Sequence, residues 1–212
     1  MPNKIRYVAL GDSYTICEGA TWDESWPVIL TAHLNKAGIP VELIANPSRT
    51  GWTTQNLIDR ELPVFDSSSP IFATLLIGVN DWVQGVSAET FHKNLNFIID
   101  HVSPLLTSPI GVGNSTKGGA SLVLITIPDF SVTPDGPKYS NGRNISEGLQ
   151  EFNKIIKSEA EKRKLKCVDI FPVSQKMKDA PELVSKDNLH PSAKEYAIWE
   201  NMIYPVVYSV LK

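Results

Sequence analysis

Five short runs of β-branched and aliphatic residues, at 5–10, 41–45, 71–77, 122–127 and 166–170, recur along the chain and are apolar almost throughout. Strands covered on both faces read this way, because every side chain meets a packed layer. Between them lie segments 23–36, 53–60, 88–106, 145–164 and 191–208, whose apolar positions return every three or four residues. In segment 88–106, Phe91, Leu95, Ile98, Ile99, Val102 and Leu106 form one stripe, leaving His92, Lys93, Asn96 and Asp100 largely on another face. Strand alternating with helix five times predicts a doubly wound α/β domain. Its sheet should be parallel and buried, its crossovers right-handed, and its ligand site at the C-terminal ends of the strands. The pattern leaves the strand order open.

Two stretches break the rhythm. Residues 107–120 are rich in Gly, Ser and Thr, and residues 128–144 carry Pro128, Pro134, Gly136, Pro137 and Gly142. Loops of this length in a compact domain are usually functional, and the second leaves a strand at the expected site edge, which it should overhang. No repeat or shift of composition divides the chain, so a single domain over residues 1–212 is expected.

With 212 residues, 42% hydrophobic and 20% charged, the chain can bury a substantial core. A net charge of -3 offers no basic stripe for a phosphate backbone, which argues against nucleic acid as a partner. Cys17 and Cys167 lie far apart, outside any CxxC or Cys/His cluster, so neither a disulfide framework nor a zinc site is expected. No cofactor or metal is called for. No apolar run approaches the roughly 18 residues that would span a bilayer, so no integral membrane association is expected. The first residues enter a strand-like segment without the apolar stretch of a signal peptide, and a cytoplasmic location is the default expectation.

The chemistry gathers at four places. In Asp187-Asn188-Leu189-His190 a carboxylate and an imidazole stand three residues apart in a turn, near enough to pair, and an imidazole so held can take a proton from a hydroxyl. Pro191 then suits a helix start, which puts His190 in the loop before it and off any apolar helical face. A turn histidine capped by an aspartate would have the same sequence. His33, His92 and His101 fall inside helical segments and read as surface or boundary residues.

The hydroxyl comes from Gly11-Asp12-Ser13, where the chain turns off the first strand; Asp and Ser are also favoured helix caps. Asn80, in Gly78-Val79-Asn80-Asp81 after the third strand, offers a fixed amide dipole to an oxyanion, or closes an Asx turn. After the second strand, Gly51 either lets its N–H approach a substrate oxygen or is an ordinary turn glycine. Ser13 and Asn80 would both emerge at one edge of one sheet.

These four blocks together resemble the SGNH, or GDSL-type, esterases and lipases. Gly11-Asp12-Ser13 is similar to the first block of that family, Gly51 to the second, Gly78-Val79-Asn80-Asp81 to the Gly-x-Asn-Asp block, and Asp187-Asn188-Leu189-His190-Pro191 to the Asp-x-x-His block. They stand in the family's order across essentially the whole chain. Tyr14 departs from the Leu of the first block, and the block around Gly51 is the least distinctive. The resemblance implies a three-layer α/β/α sandwich with a mostly parallel five-stranded sheet, the flavodoxin-like SGNH hydrolase fold. It also implies Ser13 as nucleophile, His190 as general base and then acid, Asp187 as the orienting carboxylate, and an oxyanion hole from Ser13, Gly51 and Asn80.

The expected partner is therefore a small-molecule ester, small or lipid-like and cleaved through an acyl-serine intermediate; a short acyl group is the default, with acetylated sugars, lysophospholipids and thioesters left open. Trp22, Trp52, Trp82 and Phe130 lie in or beside loops at the expected edge and are candidate substrate-binding residues, though aromatics there can also pack on each other. Two other functions suit an α/β chain of this kind. A metal-dependent phosphoryl-transfer enzyme could use Asp12, but no second carboxylate follows two residues on. A non-catalytic ligand-binding protein could keep the same fold. The Gly-x-Ser-x-Gly elbow of the usual α/β-hydrolases is missing.

Overall fold

The structure, a computed structural model, describes residues 4–106 and 121–212. The 107–120 stretch thus lies outside the described residues. Strands β1 (Ile5–Gly11), β2 (Val41–Ala45), β3 (Phe72–Leu76), β4 (Leu122–Ile125) and β5 (Lys166–Val168) form one sheet in the order β2-β1-β3-β4-β5, parallel at every pairing. The chain steps outward from β1 to β2, then returns past β1 to lay down β3, β4 and β5. Strand order therefore reverses between β1 and β3. Loops leaving these two strands diverge there and open a crevice, the place where open α/β sheets bind ligands.

Helices cover both sides of the sheet. The Trp26–Lys36 and Ala193–Leu211 helices pack together, as do the Ala88–Val102 and Ile145–Arg163 helices. Between the latter two, Phe91 and Phe152 stack with centroids 4.3 Å apart, and both are buried. Truncating a ring at such a position typically costs about 3–5 kcal/mol. Within the sheet the buried Tyr7 hydroxyl is satisfied by Thr74 Oγ1 at 2.7 Å, so a polar atom sits in the core without penalty.

Several element ends differ from the periodicity, each for a local reason. The expected 23–36 helix divides at Ser25 into a turn, Trp22–Glu24, and a helix, Trp26–Lys36, with Pro27 in its first turn. The expected 53–60 helix runs on to Ser68 through a wide π turn, Leu57–Glu61. Pro63 has no N–H and its ring crowds the preceding turn, and the widened turn accommodates it. That turn also carries the buried Glu61 to the end of β1, where its Oε2 accepts from Gly11 N at 3.0 Å. The 88–106 helix ends at Val102, and Pro104 sits in the tighter turn that follows. The 128–144 stretch holds two short turns, Phe130–Val132 and Gly136–Tyr139.

Candidate active site

The end of β1 is built around close backbone approach. A Cβ on Gly11 would lie 2.2 Å from the Leu76 carbonyl oxygen of β3 and 2.1 Å from Thr15 Oγ1, so only glycine fits. Asp12 then caps the short helix Ser13–Ile16 by accepting from Tyr14 N at 3.0 Å. Its side chain is wholly buried. Burial pushes its carboxyl up to about 8 against the Tyr14 hydrogen bond, and the nearby Asp81 pushes the same way. Ser13 is the first residue of the helix and nearly buried.

Beyond β3, Asn80 and Asp81 lie in a short helix, Val79–Val83, that the periodicity did not reveal. Both residues reach back to the loop after β2. Asn80 Nδ2 donates to the Trp52 carbonyl at 2.9 Å, and Gln84 Nε2 donates to the Gly51 carbonyl at 3.1 Å. Asp81 accepts from Thr54 N at 2.8 Å and from Thr54 Oγ1 at 2.5 Å. Gly51, at φ +80°, has no heavy atom within 4 Å of where a Cβ would stand, so the backbone is open on that side. Asn80 from this short helix and Gln84 just after it thus hold the Gly51 loop, and Asp81 holds the helix start that follows.

The third part is the 184–191 loop. Val184 and Pro191 bridge across its neck, and Ser185 N donates to the His190 carbonyl at 2.8 Å. Within the closed loop Asp187 Oδ1 accepts from Ser185 Oγ at 2.6 Å and from Leu189 N and His190 N at 2.9 Å each. The other oxygen, Oδ2, faces His190 Nδ1 at 2.6 Å. Partial burial pushes the Asp187 carboxyl up, but these hydrogen bonds outweigh it and draw it down to about 2. An ionised carboxylate can only accept, so Nδ1 carries a proton and, in the neutral ring, Nε2 is left as the base.

Ser13, Asn80 and His190 line one open cavity of about 60 Å³, together with Tyr14, Val79, Val83, Phe130, Tyr139 and Leu189. Tyr14 meets the His190 ring edge-on, with centroids 6.0 Å apart. Of the four aromatics expected near the substrate, Phe130 alone is among the residues lining this cavity. Trp52 lines a separate groove of about 630 Å³ with Arg49 and Arg60, a groove that includes neither Ser13 nor His190. Trp22 is 56% exposed, in a groove with Lys4 and Val28. Trp82 is buried beneath Arg143, whose guanidinium carbon lies 4.0 Å from the ring centroid. A tryptophan in a loop carries no periodicity to tell which way it points. Sequence alone gives Tyr14 only as a departure in the first block, Leu189 only as a member of the last, and Tyr139 only through its place in the 128–144 loop.

Glu18 also reaches the site, with Oε2 3.7 Å from His190 Nε2. Ligand-type atoms of Glu18, Asp187 and His190 lie within 4.8 Å of one another. Asp187, however, has Oδ1 occupied by three donors and Oδ2 by the imidazole. A cation would have to break that pair, so the trio suits proton transfer better than metal binding. His33, His92 and His101 pair instead with Glu200, Glu159 and Asp66 on partly exposed helix surfaces.

The family profile of GDSL-like lipases and acylhydrolases matches residues 9–198, a span that holds all four sequence blocks. The chain belongs to that family. This GDSL-type acylhydrolase is a carboxylic ester hydrolase, of the serine esterase class. Its fold is similar to that of TesA, at TM-score 0.73 and 16% identity, covering 97% of this chain and 99% of TesA. It is similar also to the psychrotrophic esterase EstA from Pseudoalteromonas sp. (TM-score 0.70, 17% identity, 98% and 99% covered). A third likeness is to Axe2, an acetylxylan esterase from Geobacillus stearothermophilus (TM-score 0.73, 16% identity, 97% and 96% covered). No curated protein matches this acylhydrolase in sequence. Among its described residues, no helix is long and apolar enough to cross a membrane.

Proposed function

We propose that Ser13, His190 and Asp187 form the catalytic triad of this hydrolase, and that its substrate is a soluble ester with a short acyl group. The observation that carries the reading is the imidazole of His190, held by Asp187 at 2.6 Å in the cavity that Ser13 lines. Ser13 Oγ attacks the ester carbonyl as His190 Nε2 takes its proton, and Asp187 stabilises the imidazolium that forms. Negative charge on the carbonyl oxygen meets the N–H groups of Ser13 and Gly51 and the Asn80 amide, which has a second N–H beside the one given to Trp52. The imidazolium returns its proton to the leaving alcohol, and water then cleaves acyl-Ser13 by the same route.

Space supports the acyl preference. A cavity of about 60 Å³ walled by Val79, Val83, Phe130 and Leu189 is far below the roughly 300–1,000 Å³ of sites for drug-sized ligands. An acetyl group suits it, which accords with the acetyl ester named for Axe2. Work in the cytoplasm belongs to the same proposal, and the free thiols of Cys17 and Cys167 accord with a reducing compartment.

The test is mass measurement after a serine-directed phosphonate, beside a panel of esters of rising acyl length. One adduct on Ser13, and turnover lowered by about 10⁴ to 10⁶ in Ser13→Ala or His190→Ala, is expected. Retained turnover in Ser13→Ala overturns the triad. Faster turnover of octanoyl than of acetyl esters overturns the acyl assignment.

A further inference from the structure

The free nitrogen of His190 does not face empty solvent. Cys17, in the left-handed conformation at φ 61°, ends the Ser13–Ile16 helix and turns the chain so that Glu18 follows beside the site. Two backbone bonds hold Glu18 there: its N–H donates to the Ser13 carbonyl at 2.9 Å, and its carbonyl accepts from the Tyr196 hydroxyl at 2.9 Å. Its side chain is tethered as well, because Thr50 Oγ1, next to Gly51, donates to Oε2. That same oxygen stands 3.7 Å from His190 Nε2. The Glu18 side chain is 38% exposed, so water reaches the gap.

We propose that Glu18 orients the water that hydrolyses the acyl-enzyme, by accepting a hydrogen bond from that water's second hydrogen while His190 Nε2 faces the first. This rests on the reading of Ser13 and His190 as nucleophile and base. A separation of 3.7 Å exceeds a direct hydrogen bond, yet one water about 2.8 Å from each atom bridges it. With both hydrogens so engaged, a lone pair of the water is left to attack. In deacylation the water oxygen bonds to the acyl carbon and one water proton passes to Nε2. The carbon–Oγ bond then breaks, the proton goes from Nε2 to Ser13 Oγ, and the carboxylic acid departs. Glu18 ends the cycle with the proton inventory it began with. In the acylation step the attacking hydroxyl belongs to Ser13 and has no second proton, so Glu18 has no such part in it.

That asymmetry supplies the test. An alcohol that intercepts the acyl-enzyme has one O–H, needed by His190, and gains nothing from a second acceptor. The ratio of methyl ester to free acid is measured with phenyl and p-nitrophenyl acetate in aqueous methanol, for the natural enzyme, Glu18→Ala and Glu18→Gln. Glu18→Ala is expected to shift the partition toward methyl ester by about tenfold. Glu18→Gln, which keeps the side-chain size and an oxygen for Thr50, is expected to shift it less. An unchanged partition in both variants overturns the proposal, even where overall turnover falls, because a merely structural role slows both branches alike. If instead the ratio for the natural enzyme depends on the leaving group, no common acyl-enzyme exists. Then the Ser13 reading fails, and with it the reaction Glu18 would serve.

Discussion

Asn80 donates its side-chain amide to the main-chain carbonyl of Trp52 at 2.9 Å, so the residue proposed for the oxyanion hole also holds the loop that carries Gly51. One N–H fixes the neighbour, and the proposed function gives the other to the substrate. Asn80→Ala removes both. The expected loss in kcat is about 10² to 10³, the usual cost of one oxyanion donor. Gln84→Ala loosens the same loop through the Gly51 carbonyl without removing a donor, and steady-state kinetics should show a smaller loss.

Asp187→Asn keeps the shape of the 184–191 loop but replaces an obligate acceptor facing His190 Nδ1 with an amide. The imidazole then loses the partner that keeps its proton on Nδ1, and the base at Nε2 is compromised. Turnover is expected to fall by about 10⁴ while the melting temperature moves by only a few degrees. A variant that keeps a tenth of its activity would show that the carboxylate is not needed.

Stability should depend on pH through Asp12. Its folded-state carboxyl, raised to about 8 by burial first of all, binds its proton more tightly than the unfolded chain, whose carboxyl titrates near 4. The proton therefore favours folding fully below about pH 4, and that contribution is lost as the pH rises through about 8. Burial pushes Glu61 and Asp81 in the same direction. Asp12→Asn keeps an acceptor for Tyr14 N and removes the titration. Urea unfolding at pH 5 and pH 8.5 should show a fall on the order of a few kcal/mol in the natural protein and a smaller one in the variant. Equal slopes with pH would mean that Asp12 is ionised in the fold.

Ester hydrolysis should survive EDTA. Asp12 is wholly buried, and burial raises its carboxyl to about 8, which suits neither attack on phosphorus nor a magnesium ligand. Activity lost to chelator and restored by Mg²⁺ would reverse this assignment.

The fold was legible because both faces of β1, β3 and β4 are covered, and continuous apolar runs report that directly. Strand order was not, since nothing in a strand's own residues names its neighbour. Ser13, Asn80 and the Asp187–His190 turn were readable because each follows an identifiable strand or precedes the last helix. Glu18 gives no such signal: its approach to His190 depends on a left-handed Cys17 and a hydroxyl bond from Tyr196, neither of which leaves a periodic trace. The π turn before Pro63 was hidden for a similar reason, since a proline inside a helical pattern reads first as an end.

Phe130 and Tyr139, two walls of the cavity that Ser13 and His190 line, come from the one loop after β4. Asp129 moors that loop, taking hydrogen bonds from Ser131, Ser146 and Gln175. The reacting groups stand on other segments altogether. On the proposed reading, exchanging this one moored segment would change which acyl chains enter while leaving Ser13, Asp187 and His190 where they stand.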